Sequence, residues 1–500
     1  MNAIQRRAAA KKQKYFQRKE KYVKEQEESL SDVDEMEVSE NMLGRLFHNK
    51  YITLKYLGSG TFSRVWLVYN VNDNEFYAMK MYYPKYQEDG QYEVKYLSHL
   101  GNTTNVVKMH DHFTCKEPEL SDVKYKDNLC VCLIVDLMGR SLMKIYDIYD
   151  KGVPYDVFKQ LAFNSLVSLN EIHSKGLIHT DIKLENLMLD QLTGDVKEVR
   201  EWFLGLGVQK AYEGLLNSMV PDNWNDLGAN KRKNLKKDIK RKAAKKLANH
   251  LYSVINNHVN EMNQFKVNLD NDNNKSSSSN NNEIDLDDDD MPELVNLEEV
   301  KEHEQKQKEE QQANNEYIND DELDMNLMTA KVKIADMGNA CPIDKIDDDD
   351  IQIRSYRAPE VVMGEVYNEK ADVWSMACLF YELITHEYLF DVDTEHDDNV
   401  DQDRLLLAQM YATLGKMPYE YCIDTERTYE LFDEKGRVKK YKKIDYYPLE
   451  KRIADKRPDL TPLEQHNVSQ LIREMLQYEL KKRLSARNCM ELDIFKLEVD

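Results

Sequence analysis

A chain of 500 residues, 41% apolar and 32% charged with a formal net charge of −22, is too long for one core and too charge-rich for a membrane protein. No apolar run approaches the roughly 18–20 residues of a membrane span, and the start "MNAIQRRAAAKKQKYFQRKE" lacks a signal-peptide core. The acidic balance excludes a chain-wide nucleic-acid surface and suits basic partners, while seven cysteines without zinc-type spacing point to a reducing setting, cytoplasm or nucleus.

Residues 1–47 run from basic to acidic with few core formers, so a solvated arm, disordered or partly helical, is expected. From 48 to 139 the pattern is that of a small antiparallel lobe. "YITLKYLGSG", "SRVWLVYNV" and "EFYAMKMYY" are β-branched and aromatic runs separated by turn residues, and "DGQYEVKYLSHLG" reads as one helix ending at Gly101. "LCVCLIVDLM" reads as a buried strand, and residues 140–190 carry apolar positions at helical spacing.

Residues 191–330 break the pattern with Asn, Asp and Ser tracts, a composition expected to be largely disordered. One stretch inside differs: in "NLKKDIKRKAAKKLANHLYSVI", Leu235, Ile239, Ala243, Leu247 and Leu251 lie four apart, predicting a basic amphipathic helix near 229–256. Three readings stand for it: a helix docked on a neighbouring lobe, a localisation or nucleic-acid signal, or a membrane-surface helix. From 331 to 497 strand, turn and helix patterns resume, so the insert divides one core.

The chemistry begins at "GSGTFSRV", where Gly58, Ser59 and Gly60 permit close approach of backbone amides to phosphates, although a lone GxG is equally an ordinary hairpin. Lys80 in "YAMKM" is either an exposed strand lysine or a buried ammonium needing anions; Glu93 on the following helix is the best carboxylate partner. "HTDIKLEN" places Asp181 to accept a substrate hydroxyl proton, Lys183 to neutralise a transferring phosphoryl group and Asn186 to ligate Mg²⁺. "IADMGN" supplies Asp336 as a second metal ligand, with Met337 as an apolar plug. Glu360 and Arg483 are expected to form a buried pair, and Asp372 to cap catalytic-loop amides.

These motifs, in this order, resemble eukaryotic protein kinases over 51–190 and 331–495, and more finely the SR-protein kinases (SRPK). "GTFSRVWL", with Ser63 at the third glycine position, "HTDIKLEN", with Leu184 where proline is usual, "IADMGNAC", "DIQIRSYRAPEVV" and the dividing insert carry the finer likeness. The resemblance implies an α+β, bilobal kinase fold and an ATP- and Mg²⁺-dependent serine/threonine kinase with a role in splicing regulation. Its implied partners are basic, arginine/serine-rich substrates, with insert-binding proteins besides. A monomer is expected, without membrane contact or a nucleic-acid role for the core. It carries catalytic and metal roles to Lys80, Glu93, Asp181, Lys183, Asn186 and Asp336. Leu57, Val65, Ala78, Val135 and Met188 would line the adenine slot, with Asp136 to Met138 as hinge, and Arg354 and Arg357 would meet an anionic neighbour of the substrate serine. The alternatives are a Clk/LAMMER-like kinase, which shares the HTD feature, and a catalytically weak kinase-fold scaffold. The acidic docking positions of SRPKs fall on Leu405 and Ala412, with local acidity upstream in "DVDTEHDDNVDQD".

Kinases switched on by loop phosphorylation carry arginine where this chain has Thr180. The stretch from Asp336 to Glu360 offers only Ser355 and Tyr356 as hydroxyls. The two absences predict a kinase held active by its own contacts, with control moved to the insert, localisation or docking.

Overall fold

The computed structural model describes residues 42–116, 129–192, 194–270, 327–345, 351–392, 399–423, 425, 427–441 and 443–496. The small lobe is built on strands β1 (Leu46–Phe47), β2 (Tyr51–Ser59), β3 (Ser63–Asn70), β4 (Glu75–Tyr82), β5 (Met109–Lys116) and β6 (Leu129–Val135), in the order β1-β2-β3-β4-β6-β5. Helix α1 (Gln87–Leu100) follows β4. All the pairings within this sheet are antiparallel, as the alternating, turn-punctuated sequence predicts. The small lobe starts earlier than position 48: Met42, Leu43 and Phe47 are buried, and β1 pairs Leu46 with Ile52. Residues 1–41 of the expected arm lie outside the described residues.

The larger lobe is helical. Helix α2 (Tyr155–Ser174) leads to the short strand β7 (Leu177–Ile178), the catalytic loop and β8 (Leu187–Leu189). Beyond the insert, β9 (Val332–Ile334) pairs with β8 and β10 (Cys341–Pro342) pairs with β7, so two small ladders clamp the loop between them. Helix α6 (Lys370–Thr385) is the axis of this lobe, and every residue from Ala371 to Thr385 is buried. A helix buried all round must satisfy its polar groups internally, which gives Asp372 and Glu382 their importance.

The first part of the insert is ordered helix. Helices α3 (Gly194–Gly205), α4 (Val208–Ser218) and α5 (Ala229–Asp270) come from a region whose average composition predicts disorder. Val199, Trp202, Phe203, Leu206, Ala211, Tyr212 and Leu215 share one apolar cluster with Leu54, Trp66, Tyr69 and Met79 of the small lobe. The basic helix joins the same cluster through Ala243, Leu247, Leu251 and Ile255. It is therefore docked on the small lobe, and each large apolar side chain buried there contributes about 2 kcal/mol. Residues 271–326 of the insert lie outside the described residues. Among the described residues no helix is long and apolar enough to cross a membrane, and the seven cysteines are free thiols.

Candidate active site

The cleft between the lobes is roofed by the β2–β3 turn. Gly58 sits at φ +151°, where a side chain is disfavoured, and Gly60 N–H donates to Ser63 O at 2.9 Å to close the turn. Ser59 ends β2 and lies exposed. Val65 lies opposite Lys80 and Ala78 opposite Val135. Directly opposed residues share a face, and so do residues two apart on a strand, so Val65, Ala78, Lys80 and Val135 form one wall. On the facing larger lobe, Met188 pairs with Lys333 and bridges to Ser141 of the same lobe. Leu57 leans on the apolar cluster shared with the insert, as does Leu137.

At the hinge, Asp136 N–H donates to Lys108 O, whereas Met138 N–H has no partner among the described residues and is free for a purine nitrogen. The Asp136 side chain is a cross-link: it takes His110 Nε2 and Lys333 Nζ at 2.7 Å each. Burial opposes its ionisation, but these two hydrogen bonds hold it at about 2.

Lys80 Nζ lies 2.9 Å from both Glu93 and Asp336. Burial alone would strip its proton, yet the two carboxylates outweigh burial and hold the ammonium charged well above its ordinary range. Asp336, at φ +65°, is likewise opposed by burial but kept below the usual carboxylate range by Lys80. Met337 is fully buried, and its N–H donates to Glu93 Oε1 at 3.1 Å.

In the catalytic loop, Asp372 Oδ2 accepts from His179 N–H at 2.7 Å and Oδ1 from Thr180 N–H at 2.8 Å. His179 Nδ1 accepts from Asp181 N–H while Nε2 faces Ala335 O at 3.0 Å, which places a ring proton on Nε2. Asn186 Nδ2 donates to Asp181 O at 2.8 Å, and Lys183 Nζ donates to Asp181 Oδ2 at 2.8 Å. Burial works against the Lys183 charge, but Asp181 raises its pKa above the ordinary value. Asp181 Oδ1 keeps no protein partner among the described residues, so one oxygen is left to accept a proton.

The order and geometry of these groups are those of a phosphotransferase cleft, and the protein kinase domain family matches the chain over residues 51–199 and 320–495. The chain belongs to the protein kinase family. Protein kinase dsk1 of Schizosaccharomyces pombe is 25% identical over 491 residues, covering 93% of this chain and 84% of that protein. SKY1, a serine/threonine-protein kinase of Saccharomyces cerevisiae, is 25% identical over 554 residues, covering 87% and 73%. SRSF protein kinase 3 of Mus musculus is 26% identical over 519 residues, covering 90% and 87%.

Membership of the protein kinase family implies phosphoryl transfer from ATP with Mg²⁺. The donor set fits the ion: the Asp336 carboxylate and the Asn186 amide oxygen, whose nitrogen is turned to Asp181, are hard oxygen ligands. Mg²⁺ held there would neutralise phosphate charge, and Lys80 is poised for the phosphates nearer the ribose. Asp181 is placed to take the hydroxyl proton, a role that typically contributes about 10²–10⁴-fold, and Lys183 to offset charge on the group in transfer.

The activation segment is held down by contacts that sequence reading missed. Thr180 Oγ1 donates to Asn339 O at 2.8 Å, and Gln352 N–H donates to Thr180 O at 3.1 Å. Gln352 then donates to Ala371 O at 2.8 Å and Ser375 Oγ at 2.7 Å, and accepts from Ala358 N–H. The expected Glu360–Arg483 pair is present as a buried two-pronged bridge of 2.7 and 2.9 Å.

Arg354 and Arg357 are both engaged within the chain. Arg354 pairs with Asp403, which Arg427 also holds at 2.7 Å, and Arg357 donates to Gln352 O at 2.7 Å. Asp401 and Asp403 both lie on helix α7 (Asn399–Leu414) with Leu405 and Ala412; Asp401 is paired with Arg404 and Lys440. Positions 393–398 of the acidic stretch lie outside the described residues.

Sequence reading also missed Glu382. It is buried on α6, accepts the Tyr356 hydroxyl, and feels the Glu185 carboxylate of the catalytic loop. Burial, helped by Glu185 and opposed by the Tyr356 hydrogen bond, pushes it up to about 7. Glu382 has no cationic partner among the described residues, whereas the exposed Glu185 is felt by the Lys183 ammonium.

Proposed function

We propose that the kinase is SRPK-like: it phosphorylates serines flanked by arginine in basic, arginine/serine-rich proteins, and it works without phosphorylation of its activation segment. The observation that carries the substrate class is the Glu185–Glu382 pair. Two carboxylates, an exposed Glu185 and a buried Glu382 that has no cation of its own and is raised to about 7, stand beside the loop that presents Asp181. Such a pair is destabilised alone and relieved by a guanidinium, which makes it a recognition element for arginine near the acceptor serine. The net charge of −22 favours encounter with the same substrates. The relatives named for SRSF proteins support the reading, as does Thr180, whose hydroxyl ties down the activation segment where an arginine would need a phosphate. Cytoplasm and nucleus are the proposed compartments.

The test is a peptide array comparing arginine–serine repeats with proline-directed and acidic motifs, using kinase pretreated with phosphatase. Arginine–serine peptides are expected to lead. A preference for acidic or proline-directed sites would overturn the substrate class, and loss of activity on phosphatase treatment would overturn the phosphorylation-independent state.

A further inference from the structure

Lys80 and Tyr82 are two apart on β4 and point to the same side, toward α1. The Tyr82 hydroxyl donates to Glu93 Oε2 at 2.7 Å, the same oxygen that Lys80 reaches at 2.9 Å. Glu93 Oε1 is taken by Met337 N–H, so both oxygens of this buried carboxylate are held, Oε2 by two donors. The ring is wedged between β4 and α1, and Lys80 Nζ stands 5.0 Å from its centre.

Two glycines make room for this ring. A Cβ at Gly90, inside α1, would meet the Tyr82 ring at 2.9 Å, and a Cβ at Gly338 would meet its hydroxyl at 3.2 Å. Glycine inside a helix costs up to about 1 kcal/mol relative to alanine, so Gly90 has a packing reason to be there. Tyr82 thus touches the strand that carries Lys80, the helix that carries Glu93 and the turn that follows Asp336.

We propose that Tyr82 is a positioning residue for catalysis: its hydroxyl fixes Glu93, and with it α1, in the arrangement that holds Lys80 ready for nucleotide phosphates. This rests on the reading of the kinase as active without a phosphorylated segment, and it supplies a part of the device that makes such a state self-sustaining. A hydrogen bond to a charged group is strong enough to bias a helix between two positions.

Tyr82→Phe keeps the ring and removes the hydroxyl. It is expected to lower kcat about tenfold at saturating ATP and basic peptide. In a Glu93→Gln background the same substitution is expected to change kcat by less than about twofold, because the hydroxyl acts through Glu93. Unchanged kcat in the single variant, or the same fold-loss in both backgrounds, overturns the proposal. Amide hydrogen exchange over Gln87–Leu100 gives a second readout that needs no turnover: faster exchange in Tyr82→Phe is expected, and wild-type protection overturns the proposal. Phosphatase-treated wild type is the reference. If it is inactive, the phosphorylation-independent reading fails, while the exchange measurement still decides the role of Tyr82.

Discussion

Asp372 and Glu382 sit near the two ends of the same buried helix, and they are opposites. Asp372 accepts two catalytic-loop amides and stands 2.9 Å from His173 Nε2, so every oxygen has a donor. Glu382 has one neutral donor, Tyr356, and a second carboxylate for a neighbour. A buried carboxylate supplied with donors is a structural pin; one supplied with a repelling partner is a site held open for a cation. The larger lobe therefore has one rigid axis that fixes the loop at one end and, under the proposed function, would meet a substrate arginine at the other.

The largest effect is expected from the satisfied end. Asp372→Asn turns an NH₂ group toward a backbone N–H that has no other acceptor. The folded state should lose about 3 kcal/mol, and kcat should fall at least about 100-fold as the loop loses its anchor. Thermal unfolding and single-turnover kinetics check this. A variant with wild-type Tm and kcat would show that the loop stands without its pin.

The contrast also explains what could be read from sequence. Asp181, Lys183 and Asn186 are legible because proton transfer and metal ligation demand fixed residue types within a few positions. Lys80, Glu93, Asp336, Asp372 and the Glu360–Arg483 pair are legible because each belongs to a short motif in a recognisable order. Glu382, Gln352 and Tyr82 are not, since their roles appear only when distant segments meet: Gln352 against α6, Glu382 beneath the activation segment, Tyr82 against Gly90 and Gly338. The basic helix of the insert is legible from its four-residue spacing, but the two helices before it are not. The insert's Asn, Asp and Ser tracts set the average, which masked the helical spacing of Trp202, Phe203, Leu206, Tyr212 and Leu215, the residues that pack on the small lobe. The small lobe likewise reaches back to Met42, whose burial depends on partners the charged arm itself does not contain.

A second effect, comparable in free energy but confined to a pH window, should appear in stability against pH. Glu382 keeps its proton up to about 7 when folded, against 4.5 for the free side chain. Below 4.5 the group is protonated in both states and costs nothing. As pH rises from 4.5 through 7 the unfolded chain ionises first, so stability falls, by about 3 kcal/mol once both states are charged. Glu382→Gln removes that dependence while keeping an acceptor for Tyr356. Denaturant unfolding should therefore show the variant gaining on wild type between pH 5 and pH 8. Parallel curves would mean that Glu382 is already satisfied, and the contrast with Asp372 would collapse.

The smallest effect is the one that bears on substrate choice. Ionised Glu382, with Glu185, should bind the arginine of a substrate, and protonated Glu382 should bind it less well. The KM for a peptide with arginine beside the serine should fall as pH rises through about 7. The KM of the matching alanine peptide should stay level over the same range. In Glu382→Gln the two peptides should converge, the arginine peptide losing about tenfold in kcat/KM. Because arginine itself does not titrate in this range, a slope seen with the arginine peptide alone reports the carboxylate pair. The same slope with both peptides would instead locate the titration in the catalytic machinery, and Glu382 would then be no more than a second pin.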